Sequence, residues 1–236
     1  MWLCCHPLFA QEPLRVVTEL SPPHQTLENG EVAGLSTQLV RETLREANLS
    51  ASFEMYPWAR AFRIASSQPN ILIYNIARTE EREKQFHWIG KVAAYQLGFV
   101  ALRHRQDIHI QQLDDARRYT VAIQRDDLSA SFLSQQGFRT GNELVLVADI
   151  KESWQLLLNG KVDLVIDDAV ALGNMAKSLS IEKEDVRFVY AIPQLEVQSW
   201  LAASRLTPSP IVEQLQQAHA RVTETELYRQ IMSSSY

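Results

Sequence analysis

The sequence predicts a two-lobed α/β fold, each lobe a mainly parallel sheet flanked by helices, with hinge crossovers joining the two. Three observations predict it. Short apolar runs alternate with amphipathic helical stretches, the pattern that places helices on both faces of a parallel sheet. That alternation occurs twice, on either side of a long extended run at residues 95–102. Two more strand patterns and a helix remain at the end, so the chain is expected to return to the first lobe. The expected division is residues 11–97 with 193–236 in lobe 1 and residues 98–192 in lobe 2, with hinges near Leu97 and Ile192.

Residues 14–19 read as the opening strand, ended by the turn signal Ser21-Pro22-Pro23. Asn29-Gly30 is a tight-turn dipeptide. An amphipathic helix follows over residues 35–48, with Leu35, Leu39, Val40, Leu44 and Ala47 on one face and Arg41, Glu42, Arg45 and Glu46 on the other. Ser36 or Thr37 is expected to cap it. Residues 52–56 alternate like a strand, Pro57 opens a second helix reaching Ser67, and residues 71–74 suit a buried parallel strand. In the second group, strands are expected at 119–123, 144–147 and 164–166. Helices are expected over 128–136, ended by Gly137, over 150–159, ended by Gly160, and over 169–179. Two strands over 188–192 and 199–203 and one long helix over 210–232 complete the chain.

Composition narrows the function. A chain of 236 residues has room for two small cores, and its 46% hydrophobic and 22% charged residues are those of a soluble globular protein. A net charge of -5 with no dominant Lys/Arg cluster argues against a nucleic-acid partner. Arg103-His104-Arg105 and Arg117-Arg118 lie beside Asp107, Asp114 and Asp115 and read as solvated surface. Both cysteines, Cys4 and Cys5, fall in an apolar stretch ending at Ala10. Residues 1–10 read as the remnant of a secretory signal peptide lacking a positive leading region. Cleavage after Ala10 would leave a mature chain without cysteine. No later run approaches the roughly 20 apolar residues of a membrane span. The expected location is the periplasm.

Catalytic signatures are missing: there is no Gly-x-Ser-x-Gly elbow, His-Glu-x-x-His, P-loop or Gly-x-Gly-x-x-Gly. The six histidines show no metal-ligand spacing. An enzyme is therefore not expected, nor a cofactor. A dehydratase would need an acid–base pair, for which Glu19 with Asp168 is the candidate.

Four segments, in order along the chain, carry a resemblance. The first is residues 14–19, then Pro22-Pro23 and Asn29-Gly30-Glu31-Val32-Ala33-Gly34-Leu35. The second is Tyr56-Pro57-Trp58-Ala59-Arg60-Ala61. The third is Asn75-Ile76-Ala77-Arg78-Thr79-Glu80-Glu81-Arg82 with Phe86-His87-Trp88-Ile89-Gly90. The fourth runs from Leu156-Leu157-Leu158-Asn159-Gly160 through Val162-Asp163 to Asp167-Asp168. Together they resemble the family 3 extracellular solute-binding proteins of the polar amino-acid-binding type. The resemblance implies a type II-like periplasmic-binding-protein fold that closes on a small polar ligand and delivers it to a membrane permease or sensor, as a monomer.

The same resemblance assigns roles. Arg82, in an exposed cleft, would pair with a ligand carboxylate through its planar fork, and Asp168 would hold a ligand ammonium. Glu19 falls near a first-lobe acid, Trp58 where an aromatic could stack on the ligand, and Asn75, Ala77 and Thr79 where the family supplies hydroxyl or backbone contacts. Where many members carry a Gly-Ser-Thr loop this chain has Arg125-Asp126-Asp127, whose two acids favour a cationic or hydroxyl-rich ligand. The first-lobe aromatic is replaced by Pro22 or His24. Plainer readings stand beside these. Arg82 follows Glu80 and Glu81 and reads equally as a surface ion pair, Asp168 as a helix cap, Trp58 as lobe packing, and Arg125 as surface cover.

Overall fold

A computed structural model describes residues 13–233; the signal remnant, with Cys4 and Cys5, lies outside the described residues. β1 (Leu14–Thr18), β2 (Thr26–Glu28), β3 (Glu31–Ala33), α1 (Leu35–Glu46), β4 (Ala51–Met55), α2 (Trp58–Ser67) and β5 (Ile71–Ala77) form the first group. β6 (Phe86–Leu102) leads into β7 (Val121–Gln124), α3 (Leu128–Gln135), β8 (Leu144–Val147), α4 (Ile150–Leu158), β9 (Leu164–Asp168) and α5 (Leu172–Ser178). β10 (Val186–Ser204) returns, and α6 (Ser209–Thr223) and α7 (Glu226–Ser233) follow it.

Local chemistry explains the joints. Asn29 (φ 53°) and Gly30 (φ 85°) both take left-handed geometry and join β2 to β3 as a two-residue hairpin turn, the form that matches strand twist. α1 begins at Gly34 (φ 105°), where a Cβ would lie 2.6 Å from the His24 carbonyl oxygen. The expected Ser36 or Thr37 cap does not form. Both side chains are buried, Ser36 donating to the Val92 carbonyl at 3.1 Å and Thr37 to the Ala33 carbonyl at 2.6 Å. They tie the helix to β6 and β3 instead.

Among the described residues β2 and β3 pair apart, and the other eight strands form one sheet in the order β4-β1-β5-β10-β6-β9-β7-β8. Its two ends are parallel: β4, β1 and β5 at one, β9, β7 and β8 at the other. The centre is antiparallel, because the crossovers β6 and β10 are themselves strands and pair with each other along most of their length. The crossovers thus join the two expected parallel groups into one sheet. At roughly 3.3 Å per residue, the 17 residues of β6 are long enough to run through both lobes. The strands expected at 188–192 and 199–203 are likewise parts of β10. Its pairing with β6 breaks between Ala191 and Glu196, so residues 192–195 bulge opposite Leu97, at the expected hinge. Beside the break Gly98 is needed, since a Cβ there would sit 2.2 Å from the Tyr190 carbonyl oxygen.

Among the described residues four apolar clusters pack on the sheet, two at each end. One joins α1, α6 and α7 around Leu39, Tyr74 and Leu215; another packs Trp58 and Ala61 of α2 against Ile73 and Phe86. At the far end one surrounds Phe99, Ile123 and Leu133, and the last surrounds Trp154, Val165 and Met175. The first pair draws on residues before 93 and after 199; the second draws on the middle of the chain, with Leu20 at its margin.

Two helix expectations change. The long C-terminal helix is broken at Glu224-Thr225, where Thr225 Oγ1 accepts from the Tyr228 N–H at 3.2 Å and starts α7. The bend returns Tyr228 and Ile231 to the core and sets Tyr228 edge-on to His219. The helix expected from Ala169 begins at Leu172, after a turn ordered by Asp168. Among the described residues no helix is long and apolar enough to cross a membrane.

Candidate functional site

The carboxyl ends of β1, β5, β7 and β9 meet at one gap, the place where open α/β sheets bind ligands. A cavity of about 100 Å³ lies there. A water needs roughly 10–15 Å³ on this measure, so the space holds several waters or a small solute. Of the ten predicted site residues, Glu19, Trp58, Asn75, Ala77, Arg82 and Asp127 line it; Thr79, Arg125, Asp126 and Asp168 do not.

Asn75 shows how the backbone aims a side chain. It sits in β5 with φ 57°, and the pairing with β10 skips it, Trp200 facing Ile76 and Leu201 facing Tyr74. A bulge of this kind re-aims its residue. The Asn75 amide donates to Gln25 Oε1 at 2.7 Å and to the Tyr95 hydroxyl at 2.8 Å, and its carbonyl oxygen accepts from Ser199 at 3.2 Å. Gln25 in turn donates to Thr18. This polar frame fixes one wall.

Arg82 follows a turn in which its N–H bonds the Thr79 carbonyl at 3.0 Å, and the Thr79 hydroxyl serves that turn rather than the cavity. The guanidinium lies 5.4 Å from the Trp58 ring and 5.1 Å from Phe62. It donates to the carbonyls of Ala77 at 3.5 Å and Asp126 at 3.4 Å. Arg82 is buried, at 9% exposure, not displayed on an open cleft, which corrects that expectation. The surface ion pair with Glu80 or Glu81 does not form, and no ion pair among the described residues includes Arg82. Burial lowers its pKa, while the charges of Asp127, Glu81 and Glu19 favour the cation.

Carboxyl groups reach the cavity from both ends, Glu19 after β1 and Asp127 and Asp167 from the facing wall. Glu19 accepts from the Gln124 amide across the gap and is pushed up to about 8, first by burial and then by the charge of Asp127. Asp167 accepts from the Trp154 indole N–H at 2.8 Å and from the Asp168 N–H at 2.7 Å; burial pushes it up to about 7. Asp168, the next residue along the strand, is not among those lining the cavity, although its charge reaches the Tyr95 hydroxyl, which is. Its Oδ1 accepts from the Val170 N–H at 3.2 Å, and burial pushes it up to about 6. It does not cap α5, whose preceding residue is Ala171. Of the pair Glu19 and Asp168, only Glu19 lines the cavity.

In the Arg125-Asp126-Asp127 loop, only Asp127 meets the cavity, and it also caps α3 through the Ser129 N–H at 3.1 Å. Arg125 and Asp126 have exposed side chains. Asp126 acts through its backbone. With φ 62° it turns its carbonyl across the gap to accept from the Trp58 indole at 2.8 Å and from Arg82. Trp58 thus spends its N–H on a bond between the lobes. Pro22 and His24 do not replace a cavity aromatic; Leu20 and Ser21 lie there instead. His24 is buried edge-on to Tyr95 at 5.2 Å, with its pKa lowered by burial to about 4. Sequence reasoning missed Gln25, Tyr95, Gln124, Asp167 and Ser199. Only Asp167 carried a signal, as the neighbour of a residue already singled out.

The sequence pattern of the bacterial extracellular solute-binding proteins, family 3, matches residues 14–232. No curated protein matches the chain in sequence. Among solved structures the chain resembles a histidine kinase sensor domain with similarity to periplasmic binding proteins (TM-score 0.80, 19% identity, 93% of this chain and 94% of that one). It resembles an ancestral arginine-binding protein bound to arginine (TM-score 0.80, 19% identity, 96% and 99%). It also resembles the GluR0 ligand-binding core of Nostoc punctiforme in complex with L-glutamate (TM-score 0.74, 23% identity, 93% and 97%). At these identities the likeness is one of fold.

Proposed function

The chain belongs to the bacterial extracellular solute-binding proteins, family 3, and from that premise we propose that it closes in the periplasm around a small polar solute, an amino acid or a related amine, without catalysing a reaction. The observation that carries this reading is the cavity itself. A buried arginine without an acidic partner among the described residues faces carboxyl groups from the other side of the gap. A solute with a carboxylate and an ammonium satisfies both walls, whereas an organic acid without an amine leaves the acid wall unmatched. Arg82 takes the carboxylate. Asn75, Ala77 and Asp127 complete the contact set, with Glu19 and Asp167 taking the ammonium.

Contacts drawn from both walls exist together only when the lobes are closed, so ligand shifts the population toward closure about residues 97 and 192–195. The lobes in this reading are residues 11–97 with 193–236, and residues 98–192. Delivery of the bound solute to an ABC-type permease is the use proposed first. Reporting to a membrane sensor is the second reading, favoured by the likeness to a histidine kinase sensor domain over nearly the full length of both chains. In both, the protein acts as a monomer. A thermal-shift screen of the purified protein against amino acids, polyamines, organic acids and sugars tests the proposal. A ligand at 100 times its Kd adds about 2.7 kcal/mol and raises the Tm by several degrees. No shift with any amino acid or amine would sink the reading.

A further inference from the structure

The charges around the cavity do not balance. Arg82 supplies one positive group, and Glu19, Asp127 and Asp167 supply three acids, none of which forms an ion pair among the described residues. The surroundings do not correct this. From β6 the neighbour is the Tyr95 hydroxyl, and from the loop after β1 it is the neutral His24. Ahead of α4 lies another acid, Asp149, whose charge reaches Glu19, and from β9 comes Asp168. Lys151 is exposed in an adjoining cleft that it shares with Glu19 and Asp149. Buried carboxyls without a cation keep their protons, because desolvation penalises the anion.

We propose that the cavity takes a ligand of net positive charge, with one carboxylate on Arg82 and two cationic groups on the acid wall, and that those groups displace protons from Glu19 and Asp167 as they bind. This rests on the amino-acid reading above and adds the ligand's charge and its coupling to pH. A cation placed beside a carboxyl favours its ionised form, so binding and proton loss reinforce each other. Both acids are held up near neutrality by burial. Affinity therefore strengthens as pH rises through that range and weakens below it. One linked proton changes affinity up to about tenfold per pH unit.

The test is isothermal titration of the full chain with L-lysine, L-arginine and L-glutamine at pH 6, 7 and 8. Each titration is run in phosphate and in Tris, whose different ionisation heats reveal proton release. L-lysine or L-arginine is expected to bind with release of about one proton more than L-glutamine, or to bind where L-glutamine does not. Affinity for the dibasic ligand should rise up to about a hundredfold per pH unit where both acids carry their protons, about tenfold for each, and E19Q should flatten that rise by removing one of them. Binding that is independent of pH, with equal heats in both buffers, overturns the inference and leaves the amino-acid reading intact. Equal or tighter binding of L-glutamine with the same proton count overturns the second cationic group. No binding of L-lysine or L-arginine at any pH overturns the inference, and the amino-acid reading falls with it only if the wider thermal-shift screen is also blank.

Discussion

The two ends of the sheet are built by different routes and meet the cavity with different chemistry. The β4-β1-β5 end needs both ends of the described chain, because α6 and α7 return after residue 204 to cover α1. The β9-β7-β8 end is assembled from one uninterrupted stretch. At the cavity, the first end offers a hydrogen-bonded frame of Asn75, Gln25, Tyr95 and Ser199 with a clamped Arg82. The second offers carboxyls, Asp167 held by the Trp154 indole and the Asp168 N–H and Asp127 by the Ser129 N–H. The hydrogen-bonded frame lies on one side, and two of the three cavity acids, Asp127 and Asp167, lie on the other. A ligand joins them by matching both.

Core truncations test the difference in assembly and carry the largest expected effect. Trp154→Ala and Leu215→Ala each remove a side chain with 0% exposure, one from each end. Losses of about 3–5 and 2–5 kcal/mol are expected. If the ends are separate cooperative units, urea unfolding followed by fluorescence and by circular dichroism shows each variant lowering a different transition. A single transition shifted by both would break the comparison.

Arg82 comes next. Arg82→Ala is expected to weaken amino-acid binding by about 2–5 kcal/mol, since it leaves a ligand carboxylate unpaired. It also costs stability, because the side chain packs on Trp58 and Phe62. Calorimetry with thermal melts separates the two losses, and unchanged affinity would remove Arg82 from the site. A smaller effect is expected of Trp58→Phe, which keeps a ring but loses the bond to the Asp126 carbonyl. About 0.5–1.5 kcal/mol of affinity should go with it. A scattering profile of the free protein that does not change in this variant would show that the bond contributes nothing to closure.

A pair of opposed pH slopes sharpens the comparison further. His24 and His219, at the first end, have pKa values lowered by burial to about 4. The unfolded chain then binds more protons, so their contribution is full above about pH 6.5 and is lost as pH falls toward 4. Asp167 and Asp168, at the second end, are raised, so their contribution is full below about pH 4 and is lost as pH rises through 6 to 7. Glu19 adds to the second slope from the first end. H219Q should flatten the acid side of a Tm-against-pH curve and D167N the neutral side. Reversal of either sign would show that burial does not set these groups.

Local periodicity made most elements legible. The spacing of Leu35, Leu39 and Leu44 marks α1, and Asn29-Gly30 marks the turn of the β2–β3 hairpin. What escaped depends on pairing between distant segments. Residues 192–195 look like a loop between two strands, and only their register against β6 shows β10 to be continuous. The site was legible in part for the same reason. Glu19 and Asn75 lie near the carboxyl ends of β1 and β5, where side chains converge, and Arg82 lies in the turn that follows β5. Choosing Asp167 over Asp168 needs the parity of a strand, which a one-residue slip inverts. Asp126 contributes a backbone carbonyl, which leaves no trace in residue chemistry.

The antiparallel pairing of β6 with β10 has a genetic consequence. Gln96 and Glu196 are ladder partners, so the chain leaves and re-enters the first end within one rung. Such neighbouring termini, about 5 Å apart across a ladder, are what an inserted cassette requires. The stretch between them is expected to be exchangeable for the equivalent stretch of a relative without lengthening any linker. A ligand preference would then be recombined from two half-sites, one frame with a new set of charges, and a chimera that folds but binds neither parent's solute would show the halves to be co-adapted.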